Sequence, residues 1–176
     1  MSAVAGLLWP ARPSQEETMK TRWMLTLTVM ASILLANAAA AAGPEVVVRS
    51  VKGEFKEVKE RVLLAIENRG LVLNYTARIG AMLERTGKDI GAKRQVYRDA
   101  ELLEFCSARI SRDTMEADPR NIVYCPYGIA IYTLPKEAGR VHVAYRRMAD
   151  GAPEPSRKAL EAVDRLLADI VAEALK

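Results

Sequence analysis

The sequence predicts an α+β fold, a single mixed sheet of about five strands covered by helices in two layers and completed by a long C-terminal helix. Two observations predict it. Runs rich in β-branched residues alternate with stretches whose apolar residues recur at helical spacing, and glycine or proline stands at most of the junctions between them. No internal repeat and no low-complexity tract in the body of the chain asks for more than one core.

Glu45 to Val51 is valine-rich and predicts a first strand. From Glu54 to Arg69, Phe55, Val58, Val62 and Ile66 share a helical face, while Lys56/Glu60 and Glu57/Arg61 stand four apart on another. Gly70 suits the left-handed residue that ends such a helix. Leu71 to Arg78 predicts a second strand, Ile79 to Arg85 a short helix using Met82 and Leu83, and Gly87 and Gly91 bracket a polar loop. Glu101 to Cys106 follows as a strand. Ala108 to Ala117 predicts a helix stopped at Asp118-Pro119, because the residue before a proline is driven out of helical geometry. Asn121 to Leu134 predicts a long strand in which Pro126, with no N–H to donate, marks an edge or a bulge. Pro135 to Gly139 turns the chain into a hairpin return over Arg140 to Arg147. After the connection at Asp150 to Pro155, Ser156 suits an N-cap, and Leu160, Val163, Leu167, Ile170 and Val171 share one face of the final helix.

Ahead of this domain, residues 19–42 carry the three parts of a secretory signal: a basic start at Lys20 and Arg22, an apolar run from Trp23 to Leu35, and the small-residue tract Ala38 to Ala42. Residues 1–18, with Pro10 and Pro13, read as an upstream extension, with Met19 as the expected initiator. Cleavage near Ala42 leaves a single domain over 43–176 and a periplasmic or secreted protein. The apolar run is shorter than the roughly 20 residues that span a bilayer, so membrane attachment is expected only if the signal is retained. The formal charge of +4 falls to +3 without the leader, a balance that argues against nucleic acid as a partner.

Cys106 and Cys125 are the only cysteines. In an oxidising compartment two thiols commonly pair, and the bridge would close a loop of about 20 residues. Two strands flanking a crossover helix are expected as parallel neighbours, which brings both cysteines to one side of the sheet. Strand alternation, however, sets Cys125 with Val123, Ile129 and Ile131 and Cys106 with Leu102 and Glu104, so pairing requires a bulge at Pro126 or a strand that ends before Cys106. The alternatives are a redox or sulfur-handling pair near Arg109 and Arg112, with Cys106 attacking and Cys125 resolving, or a soft-metal site, copper above all, joining the cysteines to Met115 or His142. The spacing matches no compact metal-ligand motif.

His142, the single histidine, alternates with Val141 and Val143 and is expected on a solvent-facing strand side with Arg140 and Arg146. The acidic pairs Glu101/Glu104 and Glu116/Asp118 have no distinctive spacing. Neither a phosphate-binding glycine loop nor a nucleophile-elbow serine is present. Enzymatic activity is therefore not expected, and no cofactor is. Tyr124, Tyr127, Tyr132 and Tyr145, with His142, make the hairpin region aromatic and the expected contact surface for a small ligand or a periplasmic protein.

From about Val51 to the C-terminus the order of features resembles the domain-of-unknown-function 302 family. The resemblance rests on a helix ending at Gly70, then Cys106, a helix closing on Met115-Glu116-Ala117-Asp118-Pro119, Cys125, and a long terminal helix. Ser107-Ala108, Tyr124 and Tyr145-Arg146 depart from the common pattern and suggest a subfamily, an exported one if the leader over 19–42 acts as a signal. The resemblance implies a compact α+β fold, a homodimer among its assemblies, no established reaction, and the option that both cysteines are simply buried.

Overall fold

The computed structural model describes residues 46–176; the extension expected over 1–18, the leader over 19–42 and the cleavage near Ala42 lie outside the described residues. In chain order the elements are β1 (Val46–Lys52), α1 (Phe55–Glu67), β2 (Val72–Ala77), α2 (Ile79–Asp89), β3 (Asp99–Cys106), α3 (Ala108–Ala117), a 3-10 turn (Pro119–Tyr124), β4 (Tyr127–Thr133), β5 (Arg140–Arg146) and α4 (Ser156–Ala174). The strands form one sheet in the order β1-β5-β4-β3-β2. The α+β class, the five strands and the long terminal helix are as the sequence predicts.

The pairing is antiparallel throughout rather than mixed. The helix between β3 and β4 does not carry the chain back along the sheet. α3 packs against α4 at the end of β3, so β4 starts where β3 stops, with Phe105 opposite Tyr127. Asn121 to Tyr124, expected as strand, instead continue the 3-10 turn that Pro119 opens, with the Asp118 carboxylate accepting from the Arg120 N–H at 2.9 Å. β4 is accordingly shorter than expected and begins after Pro126.

One face of the sheet carries the core. Leu103 and Phe105 of β3, Tyr127, Ile129 and Ile131 of β4 and Val141 and Val143 of β5 are all buried there. Val58, Val62 and Ile66 of α1 and Leu160, Val163, Leu167 and Ile170 of α4 cover them, each with no exposed surface. Burying a side chain of this size contributes roughly 1.5–3 kcal/mol, so these two helices and the inner face account for most of the cohesion. α1 ends in a Schellman turn: Gly70 sits at φ 67°, its N–H donates to Glu67 O at 2.8 Å, and the Leu71 N–H reaches Ile66 O at 3.4 Å. At α4 the residue before the helix is Pro155, and the buried Ser156 makes no capping bond. The helix is held instead by Asp164, whose carboxylate accepts from the Met148 and Ala149 N–H groups at 2.7 and 3.1 Å.

The far ends of α1 and α4 are clasped by Glu173, which accepts from Asn68 Nδ2 at 2.9 Å and Arg69 Nη1 at 2.6 Å. The hydrogen bond from Asn68, then that from Arg69, lowers the Glu173 carboxyl below its ordinary value. A carboxylate favoured by folding adds stability above the ordinary carboxylate range and loses it as pH falls through the lowered value. Glu173→Gln is therefore expected to lower the urea midpoint at neutral pH and to converge with the parent chain as the pH falls through the lowered value and the parent's carboxyl is protonated. Parallel curves across that range would remove Glu173 from the acid transition.

Candidate functional site

Two places gather the residues that carry chemistry, and they lie at opposite ends of β4. At the first, Cys106 and Cys125 are joined as a disulfide with 6.5 Å between their Cα atoms, inside the range a bridge tolerates. The conflict of faces is resolved because β4 begins only at Tyr127, which leaves Cys125 outside the ladder and free of its alternation. The bridge closes the base of the segment containing α3 and the 3-10 turn.

Inside that segment the polar groups are satisfied locally. Ser107 Oγ caps α3 by accepting from the Ile110 N–H at 3.4 Å. Ser111 Oγ lies 2.9 Å from the Tyr127 hydroxyl and 3.7 Å from Cys125 Sγ. Asn121 Nδ2 donates to Thr114 O at 2.8 Å. Arg112, expected to polarise a thiolate, instead pairs with Glu116 at 2.7 Å on the exposed face of α3. Replacing both cysteines by serine is expected to lower stability by about 3 kcal/mol, the loop-closure value for about 20 residues, measured as the shift in urea midpoint between the serine variant and the oxidised parent. An unchanged midpoint would make the bridge dispensable.

At the other end of β4, on the face turned away from the core, Tyr132 stacks on His142 with ring centroids 4.8 Å apart, and Tyr97 meets Tyr132 edge-on at 5.4 Å. Cross-strand pairing sets these groups: Tyr132 is opposite His142, and His142 is opposite Ser50 of the edge strand β1. Ser50 Oγ is 2.8 Å from His142 Nδ1. Glu137, in the turn before β5, brings Oε2 to 3.3 Å from His142 Nε2, but the approach is misaligned and Nε2 makes no hydrogen bond. Burial first, then the nearby Tyr97 and Glu137, raises the Tyr132 phenol above its ordinary value, so it stays a donor at neutral pH.

His142 is thus not solvent-facing as expected. It points to the side shared with Arg140 and Arg146, yet the Tyr132 ring, Ser50 and Glu137 leave it 8% exposed. The tyrosines expected as one contact surface are divided. Tyr127 is in the core at 1% exposure, edge-on to Phe105, and Tyr145 is buried on the same inner face, because β4 and β5 turn both toward the helices. Tyr124 is half-buried against the core. Only Tyr132 joins His142 on the outer face. Tyr97, Ser50 and Glu137 complete the cluster and were not singled out in the sequence, where nothing in their spacing connects them to His142.

Chemically, the outer cluster offers an aromatic wall, the phenol hydroxyls of Tyr97 and Tyr132, and an imidazole whose two nitrogens face a serine and a carboxylate. The order serine, imidazole, carboxylate is that of an activated nucleophile, although His142 Nε2 makes no hydrogen bond to the carboxylate. The soft-metal set does not assemble. From Tyr127 to Tyr132 the strand rises roughly 17 Å at about 3.3 Å per residue, which separates His142 from the bridge by the length of β4. Among the described residues no group of three or more His, Cys, Asp and Glu side chains is placed to hold a metal ion, and no helix is long and apolar enough to cross a membrane.

A family model described as domain of unknown function DUF302 matches residues 46–174. A crystal structure of an uncharacterised conserved DUF302 protein from Bacillus stearothermophilus superposes with a TM-score of 0.62 at 12% sequence identity, covering 74% of this chain and 98% of that one. At that identity the likeness shows the shared fold. No curated protein matches the chain at a significant level.

Proposed function

The chain belongs to the DUF302 family, and from that premise we propose that it is an exported, non-enzymatic binding module that takes a small ligand or a periplasmic partner at the aromatic end of the outer sheet face. The observation that carries this reading is the Tyr97–Tyr132–His142 stack, tied to β1 through Ser50 and with the Glu137 carboxylate beside it. A stacked aromatic wall with fixed polar tips binds planar or apolar groups with little ordering cost. Export fits the leader-like residues 19–42 and the bridged cysteines, since a disulfide persists in an oxidising compartment.

The test is a two-dimensional amide NMR titration with a metabolite extract of the producing cell. Shifts are expected around Tyr132, His142 and Tyr97 and are expected to disappear in Tyr132→Ala with the rest of the spectrum unchanged. Shifts confined to another surface would sink the assignment. A fluorophosphonate probe provides the contrast: covalent labelling of Ser50, lost in His142→Ala, would make the cluster a hydrolytic centre and overturn the non-enzymatic reading.

A second reading rests on the position of both cysteines, which are half-buried rather than enclosed in the core. In it the two thiols work as a redox pair, Cys106 attacking a partner disulfide and Cys125 resolving the mixed disulfide, so that two electrons and two protons pass from the thiols to the partner. That pair is expected to equilibrate with glutathione buffers in the folded chain. A bridge that resists reduction until the chain unfolds would leave it a structural link.

A further inference from the structure

Charge is distributed unevenly over the molecule, and the imbalance sits in α2 and the loop that leads from it to β3. Residues 78–98 hold six basic side chains, Arg78, Arg85, Lys88, Lys93, Arg94 and Arg98, against the two acidic ones of Glu84 and Asp89, whereas the rest of 46–176 has seventeen of each sign. Among the described residues only Lys88 of the six is ion-paired, with Glu84 at 3.8 Å. α2 has no buried residue. It rests on the sheet through Gly80, where an added Cβ would stand 2.8 Å from Ala100 N. At 3.6 residues per turn Met82 and Arg85 fall on the side opposite Gly80, and both are exposed. In the loop beyond, Ile90 is 80% and Val96 44% exposed. Lys88, Lys93 and Arg94 line a shallow trough of about 450 Å³ together with Leu83, Ile90 and Val96.

We propose that this surface docks on a bilayer carrying anionic phospholipid. Clustered lysine and arginine side chains are drawn to the negative potential of such a membrane, which acts only within a Debye length of the surface. Aliphatic side chains standing among the charges then reach below the headgroups and gain the burial they lack in solution. Ile90, Val96 and Met82 are placed for that step, and the basic residues beside them for the first. A nucleic acid would be attracted by the same charges, but single strands are gripped by stacking on aromatic rings. The one aromatic residue of the stretch, Tyr97, is engaged with Tyr132 instead. This attachment belongs to the folded domain and is distinct from retention through the leader over 19–42. It goes beyond the ligand reading and does not rest on it, since Ile90, Lys93 and Arg94 are not part of the aromatic cluster.

The experiment is co-sedimentation of the full chain with vesicles of mixed phosphatidylglycerol and phosphatidylcholine, and with vesicles of phosphatidylcholine alone. Binding is expected to the anionic vesicles only and to weaken as salt is raised, because screening shortens the reach of the charges to about 3 Å at 1 M. Lys93→Glu/Arg94→Glu is expected to weaken it roughly tenfold or more. Ile90→Ser, which keeps every charge, is expected to weaken it as well. The pair Lys52→Glu/Lys158→Glu makes the same charge change at exposed positions elsewhere and is expected to leave most of the binding intact. Circular dichroism of each variant verifies folding. Absence of binding to anionic vesicles overturns the inference. So does equal binding to both kinds of vesicle that ignores Lys93→Glu/Arg94→Glu, which is attachment through the leader. Equal weakening by the two charge pairs overturns it too, by reducing the effect to net charge.

Discussion

The organisation of this protein depends on the alternation of β4. Tyr127, Ile129 and Ile131 point into the helices, while Gly128, Ala130 and Tyr132 point away. β4 is the central strand of the sheet, so its inward residues fix where α1 and α4 must lie and its outward residues decide what the other face can be. A glycine and an alanine give that face a bare middle, and one tyrosine at its end gives it an aromatic anchor. The inner face is a hydrophobic core of ordinary composition. The outer face is where the sequence leaves both open apolar surface and its single histidine.

The bridged segment shows how a local choice of connection sets global pairing. A helix between two strands fits two arrangements: a crossover that returns the chain parallel, or a cap at the sheet's end that returns it antiparallel. Here the segment is short and contains a 3-10 turn as well as α3, and α3 finds its apolar support on α4 rather than across the sheet. The return is therefore antiparallel, the ends of β3 and β4 meet, and the two cysteines flank the meeting point. Under this arrangement the disulfide links the base of a segment whose own contacts, Ser111 with Tyr127 and Asn121 with Thr114, tie it down as well.

Much of the fold was legible in the sequence, and the site mostly was not, for a common physical reason. The helical stripe of Val58, Val62 and Ile66, the valine-rich β1 and the face of α4 are periodic signals within one segment. The direction of β4 relative to β3 was hidden because it depends on where α3 docks. Tyr127 and Tyr145 were misplaced for a related reason: parity along a strand says which residues share a side, not which side the helices occupy. Ser50 reaches His142 from 92 residues away, and that encounter exists only through the β1–β5 register. The disulfide was legible as an option from composition and compartment, and its geometry became clear only with the start of β4 at Tyr127.

That register also bounds how the candidate site can be maintained. β1 is an edge strand, paired only to β5, and edge strands are the elements most prone to slip. A one-residue slip would turn Ser50 inward and remove the partner of His142 Nδ1. What resists it is the inner side of the same strand, where Val47 and Val51 pack on the core. A slip would exchange Val47 for the neighbouring Val46 or Val48, but it would put Ser50 or Lys52 in the place of the partly buried Val51, a loss of less than the roughly 1.5–3 kcal/mol of a fully buried valine plus the burial of a polar group. The hydrogen bond at the outer cluster is thus held in place from the opposite face of the sheet, by residues that touch neither the histidine nor anything it binds.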